Sequence, residues 1–153
     1  MNPQTTTAPS TEPASTPRAR RARRRAWRQL SVTIPAGRYD LIAPTRHLTH
    51  ANVTEWGAGP QTADAIELCV SELLTNSAVY SQGPARLELS AHDGTVRVQV
   101  ADTSSKFPRD LGEHAQVLEE HGKGLHIVNA LASDVSVEAH GWGKTVTAVF
   151  ELG

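Results

Sequence analysis

Glu72 and Asn76 stand four residues apart in the run Glu72-Leu73-Leu74-Thr75-Asn76. On a helix that spacing puts both side chains on one face. A carboxylate placed there can take a proton or orient a water, and an amide oxygen can ligate a hard cation such as Mg²⁺. The plainer alternative is two polar residues on a solvated helix face. A second run, Val98-Gln99-Val100-Ala101-Asp102, carries a strand straight into an acid. Such a carboxylate can accept a hydrogen bond from an exocyclic amino group such as that of adenine, or it can simply start a loop. A third run, Gly122-Lys123-Gly124-Leu125, opens a short helix. Its glycines let backbone N–H groups approach an anion, the helix N-terminus adds partial positive charge, and Lys123 adds a point charge. Alone, that run reads equally as a hinge.

These groups need a scaffold, and the hydrophobic pattern supplies one. Residues 30–34, Leu-Ser-Val-Thr-Ile, alternate as a half-buried strand does. Pro35, Gly37 and Pro44 punctuate the turn after it. A helix is expected over 44–56, with Leu48, Val53 and Trp56 on its apolar stripe and Gly57 and Gly59 as stop signals. Pro60 suits the first turn of a second helix, whose stripe of Ile66, Cys69, Val70, Leu73, Leu74 and Ser77 carries one buried face to Tyr80. Gly83-Pro84 ends it. Strands over 86–92 and 95–101 are joined by Asp93-Gly94, a strong hairpin signal. Residues 102–123 are polar and irregular, with a short helix expected at 111–119, and a span of that length suits a functional loop. A helix over 124–132 and strands over 135–139 and 144–152 complete the order β-α-α-β-β-loop-α-β-β. That order predicts an α+β fold, a two-layer α/β sandwich with a mixed, mostly antiparallel sheet and helices on one face.

Composition separates two parts. The 153 residues suffice for one domain, and the 39% hydrophobic share allows a modest core. No apolar run approaches 18 residues, so no membrane partner or span is expected. Without an apolar signal core the expected location is cytoplasmic. The single cysteine, Cys69, rules out an internal disulfide and fits core packing. Residues 1–28 hold seven arginines and one acid, for +6, and the remainder carries −7. A disordered basic arm over 1–29 is therefore expected ahead of a domain over 30–153. The arm reads as a soluble tail. An Arg-rich, acid-poor start also resembles an organelle transit peptide. Nucleic acid contact by phosphate neutralisation ranks last.

The joint order of the three runs says more than each alone. A helix with Glu-x-x-x-Asn precedes a strand ending in Asp, a long loop, Gly-x-Gly-Leu, and a strand with Gly143-Lys144-Thr145. That order resembles the histidine-kinase-like (GHKL, Bergerat) ATPase superfamily, and within it the stand-alone anti-sigma regulatory serine/threonine kinases of actinomycete type. Glu72-Leu73-Leu74-Thr75-Asn76-Ser77 is close to the family's E-L-V-T-N-A, and the resemblance covers about residues 30–152. It implies the Bergerat fold, ATP and Mg²⁺ as cofactors, and transfer of phosphate to a serine of an anti-anti-sigma (STAS-type) protein. It implies a sigma factor as a further partner, and a homodimer. By the same resemblance Glu72 is the general base and Asn76 holds Mg²⁺. Asp102 binds the adenine amino group. Gly122, Lys123 and Gly124 grip the phosphates within a lid over 103–123, and Thr145 reaches adenine through water. Two positions depart from the family pattern: Tyr80 stands where His is usual, and Ser104 replaces the Gly of D-x-G.

Other readings fare worse. Gly143-Lys144-Thr145 looks like the end of a P-loop, but Glu138 stands where the pattern needs Gly. His114, His121 and His126 lack carboxylate or cysteine company at zinc-ligand spacing. A different class of function, a nucleotide-dependent binding module that sequesters a regulator without catalysis, uses the same residues.

Overall fold

The structure is a computed structural model that describes residues 16–19, 21, 27–105 and 122–152. Its elements are β1 (Arg28–Ile34), a 3₁₀ turn (Tyr39–Leu41), α1 (Ile42–Glu55), α2 (Pro60–Tyr80), β2 (Ala85–His92), β3 (Thr95–Asp102), α3 (Gly122–Leu131), β4 (Asp134–His140) and β5 (Gly143–Glu151). The five strands form one sheet in the order β1-β2-β3-β5-β4. All four pairings are antiparallel, so the parallel component that a mixed sheet allowed is not used among the described residues. The expected helix at 111–119 and most of the expected arm and lid lie outside the described residues.

Alternation along the strands builds the core. Leu87 and Leu89 on β2, Val96, Val98 and Val100 on β3, and Val146, Ala148 and Phe150 on β5 are buried, and the residues between them are half-buried or exposed. One face therefore packs and the other is polar. α2 lies on the packed face with Ile66, Cys69, Val70, Leu73 and Leu74 buried, as its stripe predicts. Asp93 at φ 50° and Gly94 at φ 81° make the tight β2–β3 turn that Asp-Gly favours.

α1 differs from expectation. It starts at Ile42, takes Pro44 into its first turn, and buries Thr45, Thr49 and Val53 while Leu48 stays exposed. The threonines can be buried because each hydroxyl donates to a carbonyl four residues back, Thr45 to Leu41 at 2.7 Å and Thr49 to Thr45 at 2.9 Å. Strand boundaries also move outward, since β1 begins at Arg28, and Trp27 just before it stacks on His92.

Cys69 has no exposed surface. Burial, reinforced by the charge of Glu72, pushes its thiol up to about 12. A folded-state value above the unfolded one favours the protonated native state. Its stabilisation is complete below about pH 9 and is lost as pH climbs toward about 12. Between about pH 8 and about pH 10 wild type should lose about 1 kcal/mol more unfolding free energy than Cys69→Ala, read by urea denaturation. Equal losses would show that the thiol does not titrate in this way.

Candidate nucleotide site

The C-terminal half of α2 faces the adjoining ends of β3 and β5. Helical spacing puts Glu72 and Asn76 one turn apart there, followed by Ser77. Asn76 and Ser77 are buried, and Glu72 is half-buried. Asn76 Nδ2 is buried with no hydrogen-bond partner among the described residues. An orphaned buried donor costs about 1–3 kcal/mol, so folds rarely keep one without a use.

Asp102 closes β3 and is 3% exposed. Its neighbour across the ladder is Lys144, at the start of β5 and 5% exposed. The ammonium of Lys144 donates to both carboxylate oxygens, at 2.8 Å to Oδ1 and 2.9 Å to Oδ2. Ser77 Oγ donates to Oδ2 at 2.6 Å, which ties α2 to the strand end. The Ser104 N–H donates to Oδ1 at 2.9 Å and closes a tight local turn. Gly143 is required by this close approach. A Cβ there would collide with the Asp102 carbonyl oxygen and lie 2.7 Å from Thr103 Cα.

The structure therefore brings Asp102 together with α2 through Ser77, beside Asn76. It does not bring Thr145 to them. Lys144 shares the packed face with Asp102, so Thr145, one residue on, points to the polar face of the sheet. There it meets His140 Nε2 at 3.1 Å. Its expected role at the adenine side is corrected by the phase of β5. Gly122, Lys123 and Gly124 lie within the first turn of α3 rather than ahead of it, and most of the expected lid lies outside the described residues.

Sequence reasoning missed Ser77 as a polar contact, having read it as part of the apolar stripe and as the last residue of the Glu72–Ser77 motif. It also missed Lys144 as a contact of Asp102, having read it only within the Gly143-Lys144-Thr145 run. A usable signal existed: a strand ending in Asp and a strand starting with Gly-Lys, once paired antiparallel, place acid and ammonium side by side.

Other features do not compete. A cavity of about 350 Å³ between the start of α1 and the end of α2 is lined by Ile34, Ile42, Leu74, Ser77 and Ala85 among others, but by none of Glu72, Asn76, Asp102 or Lys144. His50, Asp64 and Glu67 gather between α1 and α2, where His50 meets Asp64 at 3.1 Å and Arg46 meets Glu67 at 3.3 Å. That trio reads as an interhelical ion-pair network, since Arg46 supplies the cation that Glu67 needs. His126 is exposed, and His114 and His121 lie outside the described residues. No helix among the described residues is long and apolar enough to cross a membrane.

Residues 36–150 match the histidine kinase-like ATPase domain family. The chain belongs to that family. Among characterised relatives, the serine-protein kinase RsbW of Bacillus cereus (strain G9842) is 27% identical over 135 residues, covering 78% of this chain and 82% of that one. Among solved structures, the RsbU and RsbW domains of Rv1364c from Mycobacterium tuberculosis superpose with a TM-score of 0.60 at 18% identity. The superposition covers 82% of this chain and 32% of that one, so the present chain spans about a third of that protein. The likeness supports the Bergerat sandwich seen here. The family match covers α2, the β3–β5 strand ends and α3, the elements that hold the polar cluster.

Proposed function

We propose that this chain is an anti-sigma regulatory protein serine/threonine kinase that uses Mg-ATP to phosphorylate a serine of a small anti-anti-sigma (STAS-type) protein. The observation that carries the reading is the buried Asn76 amide with its unpartnered Nδ2, one turn from Glu72 and adjacent to the Ser77–Asp102 link. A cytoplasmic location, a homodimer and a sigma factor as second partner go with it. The kinase named RsbW is the relative that supports this class.

The residues fit the nucleotide at the phosphate end. The Asn76 amide would hold Mg²⁺ and phosphate oxygens through its oxygen and its unpartnered N–H groups. The first turn of α3, with Gly122, Lys123 and Gly124, offers backbone N–H groups and a positive helix end to phosphate. Asp102 would accept from the base, and there the fit requires Lys144 to yield part of its hold. When bound, Mg-ATP supplies the transferable phosphoryl group and the cation that offsets its charge. The Glu72 carboxylate would take the proton from the partner's serine hydroxyl.

Phosphate transfer to a recombinant anti-anti-sigma protein of the same genome tests this. Glu72→Gln should slow transfer by at least about 100-fold while Mg-ATP binding is kept, the usual scale for a general base. Transfer at the wild-type rate would remove Glu72 from that role.

A second reading is favoured by the full engagement of Asp102. In it the domain binds nucleotide and sequesters its partner without catalysis. Full partner capture with a non-hydrolysable nucleotide and no phosphoprotein with Mg-ATP would select that reading.

A further inference from the structure

Four hydrogen bonds converge on the Asp102 carboxylate. Oδ1 accepts from Lys144 Nζ and the Ser104 N–H, and Oδ2 accepts from Lys144 Nζ and Ser77 Oγ. An ionised carboxylate offers about four lone-pair sites, so a further donor enters only where one of these four yields. The Ser104 N–H is fixed by the local turn and Ser77 Oγ by α2. Lys144 supplies the other two bonds from a flexible four-carbon stem, so it can release one and keep the ion pair. The strand ends thus set an acceptor and a donor side by side, 2.8 Å apart, with side chains 3% and 7% exposed.

We propose that Lys144 is a base-binding residue of the nucleotide site, donating to N1 of adenine while Asp102 accepts from the 6-amino group. The proposal rests on the nucleotide reading above. Adenine carries that donor and that acceptor next to each other on one ring edge, and Asp102 by itself can meet only the donor. Lys144 turns one N–H from Asp102 to N1, and the lone pair so freed takes the 6-amino N–H. The remaining Lys144–Asp102 bond keeps the two buried charges paired. The carboxylate then still accepts four hydrogen bonds, and the ammonium still has an acceptor for each N–H it had engaged. A purine without N1 leaves the turned N–H with no acceptor, and a site built to pair a polar group discriminates against a ligand that cannot pair it.

The test is the affinity of the full chain for Mg-ATP and for Mg-1-deaza-ATP, in which C–H replaces N1, measured by calorimetry. Wild type should bind the 1-deaza nucleotide at least about tenfold more weakly, and Lys144→Met should bring the two affinities to within about threefold. The ratio is the readout because competition between Lys144 and the base for Asp102 weakens both nucleotides alike. Equal affinities in wild type, or a tenfold ratio kept in Lys144→Met, overturn the role of Lys144 and leave the nucleotide site standing. If Lys144→Met does not fold, the double variant Asp102→Ala, Lys144→Met takes its place, since it leaves neither charge buried alone. There too a ratio near one supports the role and a tenfold ratio overturns it. Binding of neither nucleotide to wild type overturns the nucleotide reading itself, and this inference with it.

Discussion

Asp102→Ala should lower the unfolding free energy by about 3–5 kcal/mol, measured by urea denaturation, one of the largest losses any single substitution in this chain should cause. The reason is what remains behind. The Lys144 ammonium, 7% exposed, would lose both of its hydrogen bonds to an acceptor. The Ser77 hydroxyl and the Ser104 N–H would lose theirs as well. Desolvating a cation is affordable only while an anion compensates it. The double variant Asp102→Ala, Lys144→Met should recover a substantial part of the loss, since it removes the orphaned charge along with its partner. Two additive losses would show that the pair is not coupled, and the buried contact would then carry little energy.

Much of the scaffold was legible because it rests on short-range physics. α2 follows from apolar steps of three and four from Ile66 to Ser77, with Pro60 at its start. The β2–β3 hairpin follows from Asp93-Gly94, whose positive φ values the turn demands. α1 was misjudged because threonines look polar. Thr45 and Thr49 lose that polarity once their hydroxyls turn back onto the helix backbone, so the buried face rotates away from Leu48.

The site was legible in part. Glu72 and Asn76 are close because one helix carries both, and helical spacing is local information. The strand ends are another matter. Whether Lys144 or Thr145 shares a face with Asp102 depends on the register between β3 and β5, strands separated by forty residues of chain. A shift of one residue exchanges the two faces. The family pattern suggested the threonine, and the register places the lysine. The link from Ser77 to Asp102 is hidden for the same reason, since a serine among buried leucines reads as packing until the strand that needs its proton is in place.

The account depends most on a nucleotide site built around Asn76. Thermal unfolding of the full chain with Mg-ATP, Mg-ADP and no nucleotide, beside Asn76→Ala, tests it most directly. At about 100 times its dissociation constant a ligand stabilises the native state by about 2.7 kcal/mol, a rise of about 8 °C for a domain of this size. The account predicts that rise in wild type, dependent on Mg²⁺ and lost in Asn76→Ala. An unchanged midpoint in wild type at millimolar nucleotide, or an equal rise in Asn76→Ala, would contradict it.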